Sequence, residues 1–435
     1  MPRVLPRAEH NVSRKQISPE ALKVLYRLHG AGHRAYLVGG SVRDLMLGRT
    51  PKDYDVATDA RPAEIRRIFR NSRIIGRRFR LVHVLFRDQV IEVSTFRREP
   101  EVEERGDGTA EELLITSDNS FGTPEQDAFR RDFTVNALFY DISDFAILDF
   151  VGGIDDLARR TIRTIGDPAV RFREDPVRMM RACELAGRLG FVLDRGTQEA
   201  MRDAAAEIDK ASPARVTEEI VELLRCGRSG PAFQWMLELG VVDRLLPELR
   251  AMVTVGERGL GDFGQILPVL DRKVASGREV SDGGLLAALL LPGVLLARYD
   301  AEQKRGRALG RADLAELVKV TADPMVARLA LSRERTRQTL EALEGFLRLC
   351  EPPRSAAERV RVAAKNYFRE ALFLFELLAE ATGEGFEELA QWRAAARGRP
   401  VLAGAASARG AEKEAAAGEG ERRRPRRRRR GRRTS

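Results

Sequence analysis

The run AYLVGGSVRDLMLG at residues 35–48 constrains the fold more than any other stretch of the chain. A short β-rich segment, AYLV at 35–38, ends in Gly39, Gly40 and Ser41 and passes at once into helix-forming residues Val42 to Leu47. A strand, glycine turn and helix start in this order aim backbone N–H groups at phosphate oxygens, and glycine permits the close approach. Arg43 is placed to reach a triphosphate, and Asp44 favours the positive end of the helix dipole. Fourteen residues beyond Gly39 stands KDYDVAT, in which Asp53 and Asp55 are two apart in a run read as a strand. Both carboxylates then project from one face and repel, and hard oxygen ligands so placed suit Mg²⁺, which completes its shell with water and substrate phosphates. Alone, the Asp pair more often marks two exposed turn acids before a helix; joined to the glycine turn fourteen residues earlier, it is a strong signal for a triphosphate site.

The neighbouring segments extend this unit. YDVAT at 54–58, RIIG at 73–76, LVHVLF at 81–86 and VIEVSTF at 90–96 read as strands, with a helix over Pro62 to Phe69, so residues 35–150 form an α/β unit. Glu92 stands mid-strand between Ile91 and Val93, where a lone carboxylate is costly unless paired or bound to metal, and is a third acid beside Asp53 and Asp55. Arg77, Arg78 and Arg80 in GRRFR put dense positive charge on the same unit, suited to triphosphate or RNA or to surface ion pairs. QDAFRRDFTVNALFY reads as a helix with Asp132 and Asn136 four apart on one face and Arg131 beside them, a set able to hold a ribose and a phosphate. In REDPVRMMRACELAGRLGF, Asp175, Arg178 and Arg181 recur every three residues along one helical ridge. Asp accepts and Arg donates, which matches the hydrogen-bonding edge of adenine or of cytosine and opposes that of guanine or uracil. The pair cannot by itself separate A from C.

Around this unit the pattern changes. Ser18 and Pro19 cap a helix whose Leu22, Leu25 and Leu28 recur at helical spacing until Gly30 and Gly32. After Arg98 a long polar stretch without periodicity marks a functional loop or an insertion, and from about Asp155 the chain is helical nearly throughout. Ser212 and Pro213 open one such helix, with Val216, Ile220, Leu223 and Leu224 on a single stripe and an Arg215–Glu219 pair on its polar side. The net charge of +10 sits mostly in residues 401–435, which hold twelve basic and four acidic side chains and the run Arg422 to Arg433, including Arg427, Arg428 and Arg429. Such a run cannot bury apolar area; it is expected to be disordered and drawn to polyanions, or to act only as a solubilising extension. Three widely spaced cysteines exclude a disulfide framework or a Cys-x-x-Cys metal pair. The apolar stretch Leu285 to Ala297 is broken by Pro292, so a cytoplasmic protein with no membrane span is expected.

Taken together, GGSVRD, DYDVAT, EVSTFR, RRDFTVNALFYD and EDPVRMMRACELAGRLGF, in that order between about Leu37 and Phe191, resemble the class II nucleotidyltransferases, the group of bacterial poly(A) polymerases and CCA-adding tRNA nucleotidyltransferases. The lead-in ISPEALKVLYRL, IIGRRFRLVHVLF, NSFGTPEQDAFRRDFT and the Arg-rich tail look more like the bacterial poly(A) polymerase branch. The resemblance implies an α+β chain: a polymerase-β-like nucleotidyltransferase head with a small mixed sheet, then an all-α neck and body and a disordered Arg-rich tail. The corresponding segments are a lead-in at 1–34, head at 35–165, neck at 166–255, body at 256–400 and tail at 401–435. It also implies that Asp53 and Asp55 bind two Mg²⁺ ions, that Asp132 acts in the active site with Arg131, that Asp175 and Arg178 read the base, and that the helix carrying Arg215 binds RNA. The expected reaction is template-independent addition of AMP from ATP to RNA 3′ ends, with RNA-decay proteins as possible partners. A CCA-adding or A-adding tRNA enzyme and a non-catalytic RNA-binding scaffold are the alternatives.

Overall fold

Short runs of alternating apolar residues assemble into an eight-stranded mixed sheet in the computed structural model, which describes residues 1–76, 80–98, 120–249, 263–353 and 355–397. The strands are β1 (Arg3–Leu5), β2 (Ala35–Val38), β3 (Asp55–Thr58), β4 (Ser72–Ile75), β5 (Leu81–Leu85), β6 (Val90–Thr95), β7 (Leu138–Asp141) and β8 (Ile147–Asp149). Their order is β1-β8-β7-β2-β3-β6-β5-β4; β3 and β6 run parallel and the other neighbours antiparallel. The edge strand β1 has no counterpart in the sequence reading.

Each face of the sheet has its own apolar partner. Leu37, Val56, Ile91 and Val93 pack toward α1 (Pro19–Gly30) and α3 (Pro62–Ile68). Tyr36, Val38, Ala57, Phe96 and Phe139 form a smaller cluster on the other face. Because side chains alternate, Asp55 and Glu92, aligned in register on β3 and β6, lie on this second face. α1 starts as its sequence dictates: the Ser18 hydroxyl accepts from the Ala21 N–H at 3.0 Å, ahead of Pro19. The glycine turn leads into α2 (Gly40–Met46), as expected.

Two helical expectations are corrected. QDAFRRDFTVNALFY is helical only in α4 (Pro124–Arg130). Arg131 is already extended, residues Thr134–Asn136 make one short turn, and Leu138 enters β7. Tertiary pairing overrides helix propensity here: the Thr134 N–H donates to the Arg163 carbonyl, the Ile165 N–H donates to the Asp132 carbonyl, both at 3.0 Å, and aromatic Phe139 and Tyr140 pair with β2 and β8. Asp132 and Asn136 are therefore brought together by a loop and not by a helix face. The second correction concerns the Asp175 ridge. α6 (Pro168–Glu174) ends before Pro176, which pushes Asp175 out of helical geometry, to φ −150° and ψ 87°. α7 then begins at Arg178 and runs to Leu189, so Asp175 is not on its ridge.

Beyond the head, whose last helix is α5 (Gly153–Arg159), the chain is helical, apart from the two-residue parallel pair β9 (Thr161–Ile162) and β10 (Val192–Leu193) that ties head to neck. The neck holds α8 (Arg195–Ala204), α9 (Pro213–Arg225), α10 (Ser229–Glu238) and α11 (Val241–Leu245). α7 and α10 cross so closely that a Cβ on Gly187 would lie 2.7 Å from the Ala232 nitrogen, so glycine is required there. The body comprises helices over Phe263–Ala275, Asp282–Arg305, Arg311–Arg328, Arg333–Cys350, Ala356–Ala363, Phe368–Thr382 and Phe386–Arg397. Its 24-residue helix Asp282–Arg305 is by length and composition apolar enough to cross a membrane, but residues Gly283 to Val294 are buried against the helices Arg333–Cys350 and Phe368–Thr382 and form the body core. Pro292 sits inside this helix without ending it.

Candidate active site

The β2–α2 turn, the start of β3, the loop after α4 and the neck helices α7 and α9 enclose a cleft of about 480 Å³. Gly40, Ser41, Arg43, Asp44, Asp53, Asp55, Asp132, Asn136 and Arg181 all line it, so most of the residues singled out by sequence meet in one place. Gly39 supplies the turn with φ +74°, and a side chain there would press within 3.4 Å of Arg131 and 3.7 Å of the Asp55 carboxylate.

Asp55 opens β3, whereas Asp53 lies just outside the strand in the preceding loop. Burial pushes the Asp55 carboxyl up to about 6, reinforced by the charges of Glu92 and Asp53 and only partly offset by Arg131. Such a site is short of positive charge. The donors fit a small hard cation that takes one or two carboxylates and fills its remaining positions with water and phosphate oxygens. Glu92 contributes charge and not convergence. It is half-exposed, its Oε1 accepts from His83 Nε2 at 3.1 Å, and no group of three or more His, Cys, Asp or Glu converges at metal-ligand distances among the described residues.

Asp132 is buried and differs in kind. Burial works to raise its carboxyl, yet Arg181, Arg178, the Phe133 N–H and Asn136 hold it below the ordinary carboxylate value. Its Oδ1 accepts from the Phe133 N–H at 2.8 Å and from Asn136 at 3.4 Å. Its Oδ2 lies 2.6 Å from an Arg181 nitrogen but receives no aligned hydrogen bond. That oxygen is buried in the wall of the cleft, an acceptor with capacity left. Arg131 is anchored by Asp127 at 3.0 Å, donates to the Asn136 carbonyl at 3.3 Å and stacks 5.2 Å from the centre of the Phe139 ring.

Several expected roles are redrawn by these contacts. Arg43 is buried, donating to Asp44 at 2.8 Å and to the Asn136 side chain, so it braces Asn136 instead of standing open to a triphosphate. Ser41 donates its hydroxyl to the Val38 carbonyl at 2.8 Å. Arg178 is turned inward onto the Arg171 carbonyl at 3.1 Å and Glu174 at 3.4 Å. Arg215 does not form the expected pair with Glu219: it grips both oxygens of Asp175, at 2.7 and 2.8 Å. Glu219 instead faces Arg181 at 3.9 Å, and burial, outweighing Arg181 and Arg215, pushes its carboxyl up to about 7. Glu219, Glu184 and Glu222 line the cleft from the neck and were missed by sequence, although their common helical stripes with Arg181, Arg188 and Arg225 carried the signal. Arg80 is exposed and its carbonyl accepts from Arg97 at 2.8 Å. Arg77, Arg78, Arg427, Arg428 and Arg429, with the whole 401–435 tail, lie outside the described residues.

A carboxylate pair behind a glycine turn on a small mixed sheet, with helical segments closing the cleft, defines a nucleotidyltransferase. The poly A polymerase head domain matches residues 35–163, and the probable RNA and SrmB-binding site of polymerase A matches residues 190–252. Poly(A) polymerase I of Salmonella typhi is 38% identical over 395 residues, spanning 89% of this chain and 84% of that protein. The CCA-adding enzyme of Bacillus velezensis is 37% identical over 226 residues, 52% of this chain and 55% of that protein. The crystal structure of the Bacillus stearothermophilus CCA-adding enzyme in complex with CTP superposes with a TM-score of 0.61 at 25% identity, covering 87% of this chain and 82% of that one. The chain belongs to the poly(A) polymerase family, whose relatives support polyadenylation or tRNA nucleotidyl transfer as its activity.

Proposed function

We propose that this enzyme transfers AMP from ATP to RNA 3′ ends without a template and releases pyrophosphate. The observation that carries the reading is the meeting, in one cleft, of the under-compensated Asp55 and Asp53 with the Asp132 oxygen that lacks an aligned donor. Asp53 and Asp55 would hold two Mg²⁺ ions, which when bound lower the pKa of the attacking hydroxyl and neutralise charge on the triphosphate. Asp132 Oδ2 is placed to accept from a sugar hydroxyl, while Arg131, fixed by Asp127 and Phe139, supplies positive charge beside Asp55. The work is positioning and electrostatics, and no covalent intermediate is required.

Base selection favours the poly(A) branch through one contact. Arg215 on α9 fixes, by two hydrogen bonds, Asp175, the side chain to which the family resemblance gives base reading. A reader held still suits one nucleotide; an enzyme that adds C and then A needs the edge to adjust. The similarity to poly(A) polymerase I across most of both chains, against about half for the CCA-adding relative, supports the same choice. Primer extension with each nucleoside triphosphate singly, on an unstructured RNA and on a tRNA lacking its 3′ CCA, tests it. Long ladders with ATP alone on the unstructured RNA are expected. Additions confined to the tRNA and requiring CTP would move the assignment to the CCA-adding enzymes, and no addition to either would leave an RNA-binding scaffold.

A further inference from the structure

The sheet face turned away from the catalytic carboxylates carries its own concentration of positive charge. α1 and α3 cover this face, and beside them lies a cavity of about 660 Å³ lined by Lys23, Tyr26, Arg27, Phe69, Asn71 and Phe86 among others. Arg27 lies 5.2 Å from the centre of the Phe69 ring and Lys23 lies 6.0 Å from that of Phe86. Tyr26 leaves 45% of its surface exposed, with its hydroxyl accepting from Arg14 at 2.9 Å, so one aromatic ring is oriented and open to solvent.

The charges here also differ from those of the cleft in how they are satisfied. In the cleft, Arg181, Arg188 and Arg225 each pair with a carboxylate. Along α1 and α3 and in the turns that follow α3 and β5, exposed Arg27, Arg66, Arg67, Arg70 and Arg87 form no ion pair among the described residues, and Lys23 meets only Glu20, at 3.7 Å. Unpaired cations crowded on one surface repel one another, and a polyanion threaded among them relieves that repulsion. Cations beside an exposed aromatic ring at the mouth of a cavity are the combination that holds a flexible strand, the charges taking phosphates and the ring stacking a base.

We propose that this far face is a second site for single-stranded RNA, holding the strand upstream of the 3′ end that the cleft elongates. The proposal rests on RNA being the substrate class argued above. A strand that fills only the cleft should not sense this face, whereas a longer one should. The test is fluorescence anisotropy with the full chain, across a salt series, using an unstructured RNA of about six nucleotides and another of about 25. Tyr26→Ala should weaken binding of the longer RNA by roughly tenfold, the scale of one lost stack. The double change Lys23→Gln with Arg27→Gln should lower its salt slope by about 1.4, the value for two lost phosphate contacts on a single strand. Binding of the short RNA and addition of the first AMP to it should stay at wild-type level, and unchanged near-ultraviolet circular dichroism keeps a folding defect apart. Wild-type affinity and slope for the longer RNA in both variants would overturn the proposal, as would equal losses on both lengths. A wild-type chain that bound neither RNA would overturn the polyadenylation reading beneath it, which primer extension checks separately.

Discussion

Two acids of the cleft, Asp55 and Asp132, and two of the body, Glu376 and Asp271, are held in opposite ways. In the body, Glu376 is buried among Lys273, Arg278 and Arg393, and Asp271 accepts from the Ser229 N–H and hydroxyl and the Gly230 N–H, closing the start of α10. Each of these acids has found its partners within the fold. In the cleft, Asp55 is half-buried beside two like charges and Asp132 keeps an oxygen without an aligned donor. The difference separates carboxylates that hold the structure together from those kept incomplete for something that arrives. Unsatisfied buried charge is costly, so it persists where a ligand completes it.

The sharpest way to break this contrast is to neutralise one acid in each region. Asp55→Asn should reduce AMP incorporation by roughly 10²–10³-fold or more, the scale of losing one group that stabilises transition-state charge, while leaving Tm unchanged or raised. A variant that lost stability and kept activity would place Asp55 with the body acids. Asp271→Ala should do the reverse, costing about 1–3 kcal/mol by urea titration through its lost cap and the buried donors left behind, with kcat per folded molecule unchanged. Arg215→Ala frees Asp175 and should cut the preference for ATP over CTP by about tenfold, measured as a ratio of kcat/KM values. No change in that ratio would deny the neck a part in choosing the base.

A smaller effect is expected in pH. Asp55 at about 6 and Glu219 at about 7 both lie above their ordinary values of 3.8 and 4.5. The folded chain therefore holds more protons than the unfolded chain, and the stability from these two groups is full below about pH 4 and is lost as pH rises through 6 and 7. Urea midpoints without metal should fall across that window, and the double change Asp55→Asn with Glu219→Gln should flatten the fall. Mg²⁺ competes with the proton on Asp55, so its affinity, read by calorimetry, should rise through pH 6.

What the sequence disclosed follows the range of the interactions involved. Gly39 to Asp55 was legible because a strand, a turn and a helix start are written in adjacent residues, and Pro19 and Ser18 announced α1 in the same way. FTVNALFY reads as helix in sequence because the bonds that hold it extended come from other segments, Arg163, β2 and β8. Asp175 was placed on the wrong element although the following Pro176 was there to be read. Its contact with Arg215, forty residues on, has no local trace. Nor did the DxD spacing tell how deeply Asp55 would be buried, which depends on the strand that brings Glu92 alongside.

The pairing of β1 with β8 joins Arg3 to Asp149, almost the whole length of the head. On a ribosome the first strand must therefore wait, unpaired, until the residues that receive it have been made, and the sheet is sealed late. Loop closure over that span is slow, and the edge that β8 presents meanwhile is open to other chains. When β1 docks it covers β8 and becomes the outer strand itself, so its loss would leave the β8 edge open in the finished protein as well.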